Sequence, residues 1–148
     1  MQMMTLKEAT SEHFKDWSLM RHRLWPQSSI EEHRRELEAE VENPRFKAWI
    51  AQDWDKAIGF AEASLRPYAN GCDSRPVVFL EGIWIDPDYR KQGFGRAFVD
   101  AVESWARSQE IFEIGSDAAL DNLDSQRTHG RWGFEETERV VYFRKKLT

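Results

Sequence analysis

Arg90-Lys91-Gln92-Gly93-Phe94-Gly95-Arg96 combines two glycines with three cationic side chains directly before a helical pattern. Glycine lets a backbone approach a ligand closely. The unpaired N–H groups and dipole of a helix start favour negative charge, so the segment fits a pyrophosphate. Taken alone, a glycine pair at a helix start is equally a plain turn. Glu81 is the second residue with chemistry to offer: it interrupts the apolar run 77–85. A charge inside an apolar strand is costly unless paired or wet, which marks Glu81 as functional rather than structural. Asp117 stands where a short strand ends, although Ser116-Asp117 before a helix is also ordinary turn or capping chemistry. Glu138, near the start of a β-branched and aromatic run, reads equally as a solvated strand residue.

These residues need elements to hold them. Residues 3–9 read as a strand, and Thr10-Ser11-Glu12 then caps a helix whose Phe14, Trp17 and Leu24 share a face until Trp25-Pro26. Ser29-Ile30-Glu31-Glu32 is a capping box for a second, highly charged helix that Asn43-Pro44 stops. Strands are predicted over 46–52 and 57–65, joined by a polar turn, and over 77–85 after a loop rich in turn residues. Phe94, Ala97, Phe98, Ala101, Val102 and Trp105 follow the i, i+3, i+4, i+7 template of an amphipathic helix. A short strand over 111–114, a helix from Asp121 or Asn122 to near Gly133, and a closing strand over 137–143 complete the chain. A further short strand over 134–137 is an option. Helices and strands intermixed in this order predict an α/β (mixed α+β) fold with about four helices around one mixed sheet.

The 148 residues fit one domain, 1–148, with a single core. Seven Trp and nine Phe are more than such a core needs, and they read equally as all core or as partly lining a binding surface. A net charge of −5 without a basic block argues against nucleic acid and suits a cationic ligand. One cysteine, Cys72, permits neither an internal disulfide nor a Cys-based zinc site. His13, His22 and His33 lack metal-ligand partners at suitable spacing, so no metal is expected. Neither a secretory leader nor a membrane-spanning apolar run is evident, and a cytoplasmic protein without membrane association is expected.

The R-x-x-G-x-G segment after a strand ending in Asp86-Pro87 resembles the coenzyme A-binding motif of the GNAT-type acetyltransferases. Asn122, His129 and Gly133-Phe134 resemble that superfamily's Asn-x₆-Tyr-x₃-Gly-Phe pattern, with His in place of Tyr. Segments 79–83, 116–122 and 136–143, together with Leu24-Trp25 and Tyr68-Ala69-Asn70-Gly71, are similar to aminoglycoside 6′-N-acetyltransferases. The resemblance implies a GNAT-like fold with a splayed central sheet, acetyl-CoA as donor, a small cationic aminoglycoside as acceptor, and a homodimer. It also implies that Ile83, Trp84 and Ile85 pair with the pantetheine arm, that Lys91, Gln92, Gly93, Phe94, Gly95 and Arg96 hold the pyrophosphate, and that Asn122 bonds the arm.

On the acceptor side, the resemblance implies that Trp25 and Tyr68 wall the sugar site and that Glu81, Asp117 and Glu138 meet its ammonium groups. A neutral amine must attack the thioester, which makes Glu81 the candidate proton acceptor and Asp117 an orienting partner. His129 stands where the family's Tyr protonates the departing thiolate, and as a lone His it also reads as a packed or solvated residue. Two rival readings share the donor site. One is a GNAT-type enzyme for a polyamine or protein terminus; the other is a non-catalytic acyl-CoA-binding module, which the intact 90–96 segment disfavours.

Overall fold

The computed structural model describes residues 4–148; the expected start of the first strand at Met3 lies outside them. Strand β1 (Met4–Glu8) leads into a short 3-10 turn capped by the Thr10 side chain, then α1 (Phe14–Leu24). Helix α2 (Ile30–Glu40) begins at the Ser29 capping box, with Ser29 and Glu32 satisfying each other's backbone N–H groups. Strands β2 (Phe46–Asp53), β3 (Lys56–Arg66) and β4 (Val77–Ile85) follow, then α3 (Phe94–Ser108), β5 (Ile114–Gly115) and α4 (Leu123–Arg131).

The strands lie in sequence order, β1-β2-β3-β4-β5. The first four pair antiparallel and β5 joins β4 in parallel, so the sheet is mixed as expected. Helices α1 and α2 cover one face, where Phe14, Trp17, Met20 and Leu37 pack on Ala48, Ile50 and Phe60. Helix α3 covers the other through Phe94, Phe98, Val102 and Ala106, packed on Trp49, Ala51, Ala61 and Leu80. The period of the β2 sequence assigns the two faces: Ala48 and Ile50 point one way, Trp49 and Ala51 the other.

Two features of β4 shape the site. Its pairing with β3 slips between Glu62↔Gly82 and Ala63↔Leu80, leaving Glu81 as the extra residue of a bulge. A bulge bends its strand and re-aims a side chain. Pairing with β5 is confined to Val78↔Ile114 and Phe79↔Gly115, so beyond Phe79 the two parallel strands part and the rest of β4 has a free edge.

The expected closing strand over 137–143 is not formed, nor is the short one over 134–137: residues 134–148 carry no secondary structure. Their β-branched and aromatic pattern is genuine, but a strand exists only with a neighbour, and none of the described strands lies beside this segment. The strand expected over 111–114 is displaced to Ile114–Gly115, where contact with β4 is available.

Candidate functional site

At the start of α3, Gly93 is the N-cap in a left-handed conformation (φ +89°), and no side chain caps the helix. The first N–H groups of an α-helix have no intrahelical partner, so they stay available to an anion. A β-carbon at Gly93 would meet nothing within 4 Å, so the backbone here is open to an approaching ligand. Gly95 is glycine for a different reason. A β-carbon there would lie 2.6 Å from the Trp132 ring, so this residue lets α3 pack against the end of α4.

The cations of this segment divide similarly. Lys91, at φ +63°, is exposed and uncommitted. Arg96 donates to the Arg131 carbonyl and Arg90 Nε to the Ile85 carbonyl (2.9 Å), so both brace the loop. Gln92 Nε2 reaches back to the Asp88 carbonyl (3.4 Å), and the Phe94 ring is buried in the core. The cradle is therefore mainly backbone plus Lys91.

Along the free edge of β4, the Trp84 carbonyl lies against Gly59 of β3. Backbone direction alternates along a strand, which turns the N–H and C=O groups of Ile83 and Ile85 toward the open side. Asn122 caps α4 by accepting from Ser125 N–H at 3.1 Å, leaving its amide NH₂ as the part that can reach a ligand. An uncapped helix start, an open glycine and an unpaired strand edge together fit the diphosphate and amide arm of coenzyme A.

Glu81 is held by three protein donors. Arg66 grips it with Nε to Oε2 at 2.9 Å and Nη2 to Oε1 at 2.6 Å, and the Ser64 hydroxyl donates to Oε2. Hydrogen bonding to Glu81, together with the charges of Glu81 and Asp117, raises the Arg66 pKa against the opposing effect of burial. Arg66 thus pairs with Glu81 and borders the cavity that Asp117 lines. Gly82, next to the bulge, makes room for the Trp25 ring, which a β-carbon would strike. Trp25 and Glu81 line a cavity of about 540 Å³ between α1–α2 and the sheet, with Glu36, Glu40 and Glu62 in the same wall. The carboxylates outnumber the one arginine there, Arg21, which suits a polycationic guest.

Asp117, His129 and Glu138 line a second cavity, of about 980 Å³, which Arg66 also borders. His129 is tied at both nitrogens: Nδ1 lies 2.8 Å from the Ser125 carbonyl and Nε2 lies 2.8 Å from Ser116 Oγ. A donor at Nδ1 makes Nε2 the acceptor of the Ser116 hydroxyl, an arrangement that fastens α4 to the end of β5. Tyr68 borders neither cavity; its ring lies under the Arg75 guanidinium at 5.4 Å and is 58% exposed. The structure therefore joins Trp25 with Glu81, and Asp117 with His129 and Glu138, with Arg66 between the groups.

Sequence reading missed Arg66, and also the network behind the site. Arg21, on α1, forks onto Glu62 of β3 (Nε–Oε2 and Nη2–Oε1, both 2.6 Å), while Trp17 Nε1 donates to the same carboxylate at 2.9 Å. Arg21 also bonds Glu36 of α2 at 2.6 Å. Glu62 breaks the apolar run of β3 much as Glu81 breaks β4, so the same signal was present. His33, buried, bonds the Trp25 carbonyl through Nε2 at 2.9 Å and so fixes the aromatic wall.

The model of the acetyltransferase (GNAT) family matches residues 8–134. An aminoglycoside N(6′)-acetyltransferase type 1 of Serratia marcescens is 45% identical over 133 residues, 88% of this chain and 91% of that protein. Two solved structures are also similar, each 38% identical. The aminoglycoside N-acetyltransferase AAC(6′)-Iy in complex with CoA superposes with a TM-score of 0.94, covering 99% of this chain and 97% of that one. AAC(6′)-Iy with the bisubstrate analogue CoA-S-monomethyl-acetylneamine gives 0.92, covering 98% and 99%.

Proposed function

This chain belongs to the GNAT acetyltransferase family, and we propose that it works as an aminoglycoside 6′-N-acetyltransferase with residues 1–148 as one acetyltransferase domain. It is an acetyl-CoA-dependent enzyme, as its family and its CoA-bound relatives are. The observation that carries the acceptor reading is the bulge at Glu81: it sets a carboxylate where β4 leaves β5 and opens its edge.

In this reading Ile83, Trp84 and Ile85 form the strand along which the pantetheine arm lies, with Ile83 and Ile85 supplying the backbone groups. The N–H groups at 93–96 and Lys91 receive the diphosphate, and the Asn122 amide donates to the arm. The aminoglycoside enters beside Trp25, its ammonium groups spread over Glu81, Asp117 and Glu138, with Tyr68 at the outer rim. The neutral 6′-amine nitrogen attacks the acetyl carbon. The proton it sheds passes to Glu81 through a water, using the lone pairs of Oε1 and Oε2 that Arg66 and Ser64 leave free. The developing oxyanion meets the Ile83 N–H, the carbon–sulfur bond breaks, and the thiolate departs. A thiolate is a tolerable leaving group near neutral pH, so His129 serves chiefly to hold α4 and assists as an acid only if Ser116 releases it. Acetylation removes a cationic amine from the antibiotic, which is how the enzyme confers resistance.

The enzyme acts in the cytoplasm as a homodimer. The single cysteine, which leaves the fold without an internal disulfide, supports the first, and the exposed apolar residues 140–143 support the second. A thiol-release assay across aminoglycosides, polyamines and peptides tests the function. Turnover should be confined to aminoglycosides bearing a 6′-amine; equal turnover of polyamines or peptides would overturn the acceptor assignment.

A further inference from the structure

Gly82 occupies a place in β4 where the backbone does not ask for glycine. Gly71, Gly93 and Gly133 have positive φ and Gly82 does not, and glycine inside a strand weakens it. The register supplies the reason. Gly82 stands opposite Glu62 and Trp84 opposite Phe60, so all four face α1. Phe60 and Trp84 pack into the core under α1 and α2, and Glu62 receives Arg21 and Trp17. Gly82 is therefore a notch among three large side chains.

The Trp25 indole fills the notch. A β-carbon on Gly82 would fall on its Cζ2 and Cη2 atoms, while the next neighbour, Leu24 Cδ2, would be 3.1 Å away. The ring has no room to retreat inward. Phe60 meets it edge-on with centroids 6.0 Å apart, and the Arg21 guanidinium, forked onto Glu62, lies 5.3 Å from its centroid. His33 Nε2 donates to the Trp25 carbonyl at 2.9 Å and His22 Nδ1 to the Ser28 carbonyl at 2.8 Å, so the 25–28 loop is tied at both ends. The open side of the indole is the cavity of about 540 Å³, which Glu81 also lines.

We propose that Gly82 is a positioning residue for the acceptor: by lacking a β-carbon it seats the Trp25 ring against β4, and the seated ring sets the width of the cavity beside Glu81. A side chain at 82 moves the ring toward its open side, into the space the sugar occupies. One strand thereby spaces the aromatic wall from the carboxylate, because the ring rests on residue 82 and the carboxylate leaves from residue 81. The proposal rests on the aminoglycoside reading of the site and deepens it.

Steady-state thiol release on wild type, Gly82→Ala, Trp25→Phe and the double variant tests it, with calorimetry for acetyl-CoA. Gly82→Ala should raise the aminoglycoside KM by about tenfold or more, with kcat within about threefold and acetyl-CoA affinity unchanged. Phenylalanine lacks the ring atoms that the added β-carbon would strike. Trp25→Phe should therefore raise the same KM by a smaller factor, and adding Gly82→Ala to it should change the KM by less than about twofold. Losses that multiply independently in the double variant overturn the proposal. So does a Gly82→Ala loss that falls on kcat or on acetyl-CoA affinity, which would mean damage to β4 itself. Should Gly82→Ala fail to fold, Trp25→Phe against the double variant decides: a double variant that also fails, or whose KM rises by about tenfold, overturns the role. A wild type that acetylates no aminoglycoside defeats the acceptor reading and this role with it, whereas aminoglycoside turnover indifferent to Gly82→Ala defeats this role alone.

Discussion

The molecule contains two arginine–glutamate forks of nearly the same geometry and opposite circumstance. Arg21–Glu62 joins α1 to β3 with side chains 8% and 1% exposed, whereas Arg66–Glu81 joins the end of β3 to the middle of β4 with side chains 40% and 26% exposed. In the first, Trp17 and Glu36 complete the bonding and the pair is almost wholly buried, although both residues border the cavity beside Trp25. In the second, Ser64 adds one donor and the pair faces an open cleft. Burial makes the difference. A sealed pair cannot exchange partners without exposing a bare charge, so it locks elements together. A half-wet pair can loosen at modest cost, which under the proposed function is what frees part of Glu81 for an incoming ammonium.

Neutralising each carboxylate should break this comparison in opposite ways, and the largest effect is expected at Glu81. Glu81→Gln should fold and bind acetyl-CoA normally but lose about 10²–10⁴-fold in kcat, the span typical of a missing general base. Raising the pH should recover part of that loss, because more of the free amine is then neutral. Steady-state kinetics across pH measure both; a wild-type kcat would remove Glu81 from proton transfer, and a loss that pH does not relieve would make it a positioning carboxylate.

Glu62→Gln should instead strike stability, since it leaves the Arg21 charge buried against a neutral amide. Denaturant titration should show a loss of about 3–5 kcal/mol. A loss below about 1 kcal/mol would mean that the sealed pair is no more structural than the open one. The smallest effects belong to the outer carboxylates. Asp117→Asn and Glu138→Gln should each cost about 1.5–3 kcal/mol in kcat/KM for the aminoglycoside, with acetyl-CoA binding unchanged. Calorimetry showing weaker acetyl-CoA binding and no acceptor effect would place both on the donor side.

On the donor side, the contrast between Gly93 and Gly95 guides mutagenesis. A substitution at Gly95 collides with Trp132, so lost acetyl-CoA affinity there would mix packing with recognition. Gly93 is the position where the backbone faces open space and adopts a positive φ.

Much of this was legible in the residues themselves. The amphipathic period of α3, the capping boxes before α1 and α2, the apolar run of β4 and the glycines before α3 are local signals, and each became the expected element. Glu81 stood out for a local reason and Trp25 through the family resemblance, and the two do share a cavity. Arg66 did not stand out, because a terminal strand arginine looks solvated until its partner 15 residues away is known. Glu62 carried the signal that flagged Glu81, yet its seclusion depends on α1 lying across β3.

The sequence by itself determined most of the elements, their order, the uncapped glycine start of α3 and the family pattern, though not the strand expected over 137–143, because periodicity, caps and glycines act over a few residues. Only the tertiary structure decided the bulge at Glu81, the parting of β4 from β5, the sealed and open forks, and the absence of a neighbour for residues 134–148. Each of these is a matter of register, burial or pairing between segments far apart in the chain, and no local pattern records which partner a strand edge or a charge will meet.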